Sequence, residues 1–211
     1  RDYDDPENAD QTQNVETLKS FFTTDNYLSP HSDIVALMVL GHQVAVHNRI
    51  ARAALETRSA LYYQDELNKA FVEPSTTKYD SVKSRIAGVG DDLVKAMLFH
   101  DAAPLTDRVE GTTSFARDFA ARGPFDKQGR SLRQFELTTR LFKYPCSYLI
   151  YSESFDRLPA DVRDYALRRL HDVLTGANTD KAFTHLKTAD RRAILEILRE
   201  TKPNLPDYWR K

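Results

Sequence analysis

The 211-residue chain is 41% hydrophobic and 29% charged, which is enough apolar material for one domain or two small ones. Thirty basic against thirty-one acidic residues leave a net charge of -1, so no global field draws it to nucleic acid or to an anionic membrane. A single cysteine excludes an intrachain disulfide framework, a CxxC redox pair, a CxxCH haem attachment and a cysteine-rich zinc module.

Residues 1–14 hold Asp2, Asp4, Asp5, Glu7 and Asp10 against Arg1, with almost nothing apolar. Such a stretch buries too little surface to offset the entropy of ordering it, which predicts a flexible acidic tail, or a strap laid over a single helical domain at 15–211. The chain opens without methionine, as expected of a processed or cut chain, and a removed signal peptide would leave no trace in it.

Ser29-Pro30-His31-Ser32-Asp33 reads as a helix start: a capping hydroxyl, a proline at the first helical position and an acid in the first turn. From there to Phe71 no proline occurs and the only glycine is Gly41, while apolar residues recur at Ile34, Leu37/Met38, Gly41, Val44/Ala45 and Ala51. The pattern predicts a long central helix over about 31–72, roughly 60 Å if continuous, with a kink or break near Gly41 or Glu56. Arg52, Glu56 and Arg58 are spaced for pairing along it. The longest apolar run, 34–40, is far short of the roughly 18 residues that cross a bilayer, so no membrane span is expected.

A mobile segment is expected near 73–80, where the domain could subdivide. Beyond it the helical pattern is punctuated. A short amphipathic turn at 81–87 is broken by Gly88-Val89-Gly90, and Asp91 or Asp92 caps a helix at 93–99. Thr112 or Thr113 caps 114–121, stopped by Gly123-Pro124; Gly129-Arg130-Ser131 opens 132–143, and Pro145 opens 147–152. Leu158-Pro159-Ala160-Asp161 starts a helix ending at Gly176, and Thr188 caps 189–201, closed by Pro203. The sum is an all-α chain, an irregular helical bundle around the long central helix with no sizeable sheet.

Four features carry chemistry. His42 and His47 sit on the central helix about 140° apart around its axis, so a straight helix cannot aim both at one ion as an HExxH pair does. They read as core-edge histidines with hydrogen-bond partners, or as separate haem or metal ligands. His100-Asp101, ending Leu93-Val-Lys-Ala-Met-Leu-Phe, resembles the His-Asp helix of metal-dependent HD-domain phosphohydrolases. That resemblance implies His42 or His47 upstream and Asp156, Asp161 or Asp164 downstream as further ligands. Such a set suits a divalent ion that activates water against a phosphoester. Arg130 and Arg133, beside the helix start expected near Ser131, are placed to hold a carboxylate or phosphate, or else sit in a solvated loop paired with Asp118 and Asp126. Tyr144, Tyr148 and Tyr151 form one helical stripe that reads as core, with Cys146 inert inside it.

Two stretches carry a further resemblance: Ser32-Asp-Ile-Val-Ala-Leu-Met-Val-Leu-Gly-His-Gln through His47-Asn48, and Gly123-Pro-Phe-Asp-Lys-Gln-Gly-Arg-Ser-Leu-Arg through Arg140-Leu-Phe-Lys-Tyr-Pro-Cys-Ser-Tyr-Leu-Ile-Tyr-Ser to Phe155-Asp-Arg-Leu-Pro. Together they resemble an uncharacterised family of exported bacterial proteins that accompany c-type cytochromes. The resemblance implies a periplasmic or extracellular location, with the cytoplasm as the alternative, and an electron-transfer protein as partner; it supplies no activity. The expectation is therefore a soluble, exported, helical accessory or binding module, more a binder than an enzyme. Any haem would be non-covalent, on His42 or His47 with Arg130 and Arg133 for its propionates. A divalent metal on His42, His47, His100 and Asp101 is the alternative, as is a purely structural interaction subunit.

Overall fold

The computed structural model describes residues 17–27 and 29–210, so the expected acidic tail at 1–14 lies outside the described residues. The first helix, α1 (Ile34–Ala70), runs 37 residues without interruption, so neither Gly41 nor Glu56 breaks it. It starts at Asp33 rather than Ser29, because the Asp33 carboxylate accepts from Ala36 N at 3.0 Å and serves as the N-cap. The same buried carboxylate accepts from Thr113 N at 3.0 Å and Thr113 Oγ1 at 2.6 Å, which clasps the distant 111–113 loop onto the helix start. Burial raises the Asp33 pKa, but these hydrogen bonds outweigh it and hold the carboxyl below its usual range. A side chain at Gly111 would run into the Asp33 carboxylate at 2.7 Å, so the clasp needs glycine there.

The inner face of α1 repeats every three, four or seven residues: Val35, Val39, Val46, Ile50, Ala53, Thr57, Ala60, Gln64 and Asn68 are buried. Against it packs α2 (Asp80–Met97), one continuous helix through Gly88 and Gly90 where a break was expected. Val82, Ile86, Val89, Leu93, Val94 and Met97 keep one apolar stripe along its whole length, and that burial outweighs the roughly 1 kcal/mol cost of each glycine. Gly90 has a packing reason, since a Cβ there would lie 2.4 Å from the Tyr165 ring. Arg52 and Glu56 of α1 pair across to α2 instead of along α1: Arg52 lies 3.5 Å from Asp92, and Arg85 donates to Glu56 at 3.0 and 2.6 Å.

After the short α3 (Phe115–Ala120), residues 121–147 hold no helix, contrary to the one expected at 132–143. The chain reverses instead, pairing Phe135 with Phe142 in an isolated antiparallel bridge whose rings stack at 5.3 Å. At the reversal the Glu136 carboxylate accepts from the backbone N–H groups of Thr138, Thr139 and Arg140, which offers these residues an alternative to a helix. A 3-10 turn (Tyr148–Tyr151), α4 (Glu153–Asp156), α5 (Ala160–Thr175) and α6 (Thr188–Thr201) follow, and a terminal 3-10 turn (Asp207–Arg210) buries Trp209. Gly176 ends α5 with φ 82°, as the sequence indicates. Helix α2 packs on α5 and α5 on α6, and no strand occurs among the described residues, so the fold is all-α around one long helix.

Candidate functional site

The end of α2 is shaped by an unusual residue. His100 N donates to Lys95 O at 2.9 Å and Phe99 N to Ala96 O at 3.3 Å, a Schellman cap whose left-handed position is normally glycine. Here it is Phe99, at φ 59°. That conformation costs an L residue about 1–2 kcal/mol, and it delivers the Phe99 ring flat onto His42 of α1, with centroids 4.4 Å apart and planes 9° apart.

His42 is held on its other sides as well. Its Nε2 shares a 2.8 Å hydrogen bond with the buried Ser147 Oγ, the donor being set by the imidazole tautomer. Phe142 meets the ring edge-on at 5.6 Å, and Tyr148, whose hydroxyl donates to Gln43 Oε1 at 3.0 Å, tilts against it at 6.1 Å. Burial pushes the imidazole pKa down to about 4, so it is neutral at neutral pH.

Two cavities flank the His42–Phe99 stack and share His42, Ala45, Phe99 and Ala102. One, about 630 Å³, is walled by Met38, Pro104, Leu105, Leu141, Phe142 and Pro145. The other, about 690 Å³, is polar and presents Arg49, Arg52 and Lys95 alongside His100. Of its two carboxylates, Asp92 pairs with Arg52 at 3.5 Å and Asp101 with His100 at 3.1 Å. Among the described residues Arg49 donates only to Ala45 O in its own helix, at 3.2 Å, and Lys95 acts on Asp180 through space without a hydrogen bond. The cleft therefore joins an apolar chamber to a cationic one, each within the size range of small-molecule sites.

The structure places the expected site residues as follows. His42 and His100 line one cavity, with Asp101 at its exposed edge. His47 is exposed on another side of α1 and lines neither cavity. Asp156, Asp161 and Asp164 lie elsewhere, beside Lys202, Lys78 and Arg163. Among the described residues no three histidine, cysteine or acidic side chains converge as a metal site would require, so the HD arrangement is not assembled.

Arg130 is no propionate ligand, because it is locked to Asp126 at 2.6 Å and Glu196 at 2.9 Å. No helix starts at Ser131 to add backbone donors. Arg133 donates through Nε to Gly123 O at 3.0 Å and lies over the rings of Tyr148 (4.4 Å) and Phe119 (4.8 Å), in a separate cavity with Arg122. Cys146 is fully buried, and burial pushes its thiol up to about 12, in line with an inert core residue.

As an axial haem site the constellation does not fit. His42 turns Nε2 to Ser147 and one ring face to Phe99, and His185, beside the apolar chamber, donates Nε2 to Leu98 O at 2.7 Å. As a receptor for an apolar body with anionic ends it does fit. Sequence reasoning found His42 but missed Ser147, Phe99, Arg49, Arg52 and Lys95. Arg49 and Arg52 follow His42 and Ala45 at helical spacings of three, four and three, a signal that was there to read.

No protein-family model, curated protein or solved structure matches the chain. By length and composition alone α1 would pass as a membrane-crossing helix, with mean hydropathy 1.2 over an 18-residue window of which only 22% is buried within the protein.

Proposed function

We propose that this protein is a binding module, not a catalyst, whose His42–Phe99 cleft receives an amphipathic organic anion. The apolar chamber takes the ligand's body, and Arg49 and Lys95 take its carboxylate or phosphate. The observation that carries the reading is the junction of an apolar and a cationic cavity across one stacked ring pair. The family resemblance adds a setting: an exported accessory of electron-transfer proteins, with a c-type cytochrome as the protein partner. Against the phosphohydrolase alternative stand Asp156, Asp161 and Asp164, each beside a basic residue elsewhere, and against a haem on His42 stands the engagement of its Nε2 by Ser147.

Titration with 1-anilinonaphthalene-8-sulfonate, a planar apolar anion, tests the cleft by fluorescence, with hemin as a parallel titrant read by visible absorption. Saturable binding is expected, weakened about ten- to a hundredfold by Arg49→Gln with Lys95→Gln, as for lost charge-assisted hydrogen bonds. Arg157→Gln, at an exposed ion pair elsewhere, should leave it unchanged. Binding indifferent to Arg49 and Lys95 would remove the reading. A haem spectrum abolished by His42→Ala would restore axial ligation instead.

A further inference from the structure

Helix α1 is apolar on two opposite sides, and only one of them is covered. Diametrically across from the buried stripe, Leu37, Val44, Leu55 and Tyr62 are 51%, 50%, 66% and 69% exposed, with Gly41, Asn48, Ala51 and Arg58 exposed between them. A long exposed apolar stripe on a folded protein marks an interaction surface. The outer residues recur at alternating intervals of four and three, the seam spacing of paired helices.

This stripe also has an internal symmetry. About a point between Arg49 and Ile50, Leu37 mirrors Tyr62, Gly41 mirrors Arg58, Val44 mirrors Leu55 and Asn48 mirrors Ala51. We propose that a second copy of this chain covers the outer face of α1, its own α1 lying antiparallel so that each residue meets its mirror position. An isologous two-fold contact requires self-complementarity, which the apolar pairs Leu37–Tyr62 and Val44–Leu55 supply. Leu37 packs on the partner's Tyr62 and Val44 on the partner's Leu55, and Asn48 and Ala51 keep the helices close at the centre. Arg58 extends over the partner's Gly41, where a missing side chain leaves open space. A parallel pairing would instead set Arg58 against Arg58 and Asp65 against Asp65, like charges that repel. In this register the helices overlap from Ile34 to Asp65, about 48 Å, so a face about 11 Å wide gives roughly 1,050 Å² over two copies, just above the roughly 1,000 Å² that a specific interface should clear.

Sedimentation equilibrium should give twice the 24.2 kDa of one chain. Leu37→Glu with Leu55→Glu, both at exposed positions, should keep the helical circular dichroism while weakening association at least a hundredfold. Cross-linking fixes the direction. Leu37→Cys mixed with Tyr62→Cys should form a covalent pair with a short thiol cross-linker, and neither variant alone should, since mirror-related copies of one position lie about 37 Å apart along the pair. The fully buried Cys146 does not compete. A single-chain mass at every concentration overturns the proposal. So does self-cross-linking of Leu37→Cys, which means a parallel pair. Monomers that bind phosphatidylglycerol–phosphatidylcholine vesicles through Leu37 and Leu55 also overturn it, because a lipid surface then covers the face.

Discussion

Helix α1 and the segment 121–147 hold their shapes by opposite means. In α1 the backbone satisfies itself over 37 residues, one carboxylate caps the start, and a long buried stripe supplies the driving force. In 121–147 a few side chains take over that work. Asp126 accepts from Gln128 N at 3.0 Å, Arg130 N at 2.8 Å and Arg130 Nε at 2.6 Å, and Arg140 donates to Lys143 O at 2.7 Å and to Asp190 at 2.8 and 2.9 Å. The helix spreads its stability over many interchangeable contacts. The irregular segment concentrates it, so single substitutions should separate the two regions sharply.

The largest separation is expected at Asp126, whose side chain is wholly buried beneath Arg130. Burial raises its pKa, but the backbone and side-chain hydrogen bonds from Arg130 more than offset that and keep it ionised. Asp126→Ala leaves two backbone donors unpartnered and the Arg130 guanidinium on Glu196 alone, and should cost about 2–4 kcal/mol in urea unfolding. Ser59→Ala, on the exposed side of α1, should stay within about 0.5 kcal/mol. Equal losses would mean that the irregular segment is as distributed as the helix.

The same contrast explains which parts the sequence revealed. Helix α1, α5 and α6 were legible because proline-free apolar periodicity, Gly176 and Pro203 are local signals of a local structure. The expected helix at 132–143 failed because its apolar spacing hides a long-range fact: Phe135 and Phe142 pair with each other, and Glu136 closes the turn between them. The break at Gly88-Val89-Gly90 failed for a related reason, since the fit of the Tyr165 ring over Gly90 is tertiary and invisible along the chain. At the cleft, His42 stood out as an imidazole on an apolar face. Its partners Ser147 and Phe99 lie far away in sequence, and nothing in the sequence marks Phe99 as left-handed.

A second prediction places the two regions in different pH windows. The folded His42 pKa, about 4, lies below the 6.5 of an exposed imidazole, so the unfolded chain takes up a proton first as the pH falls. Stability carried by neutral His42 is complete above pH 6.5 and is lost on the way down to pH 4, by about 3 kcal/mol. For Glu136 the sign of the window is the usual carboxylate one: backbone hydrogen bonds from Thr139 and its neighbours lower the pKa from 4.5 to about 2. Its contribution is present above pH 4.5 and fades toward pH 2. Urea midpoints measured across this range should fall in two stages. His42→Gln should flatten the part of the upper stage that His42 carries and leave the lower stage in place. An upper stage unchanged in that variant would show that His42 is not the group held neutral.

The smallest effect compares the two helix ends that share one motif. Helix α1 closes as α2 does: Glu73 N donates to Asn68 O at 2.8 Å and Val72 N to Lys69 O at 3.4 Å, with Val72 left-handed at φ 56°. A β-branched residue there pays a conformational cost of about 1–2 kcal/mol, and Val72, 91% exposed, recovers almost nothing by packing. Val72→Gly removes that strain while adding about 0.5–1 kcal/mol of unfolded-state entropy, a net gain of roughly 0.5–1 kcal/mol. For a chain of this size the melting temperature should rise by about 1–4 °C. Phe99→Gly relieves the same strain but gives up the stack on His42 and the ring's packing against Phe142, at 5.7 Å between centroids. Aromatic pairs add about 0.5–1.5 kcal/mol beyond the area they bury, so this variant should lose stability, and it should weaken the 1-anilinonaphthalene-8-sulfonate binding expected of the cleft. If both variants gained stability alike, the strain at Phe99 would serve no contact, and the stacked pair would no longer explain why the end of α2 is built around an aromatic ring.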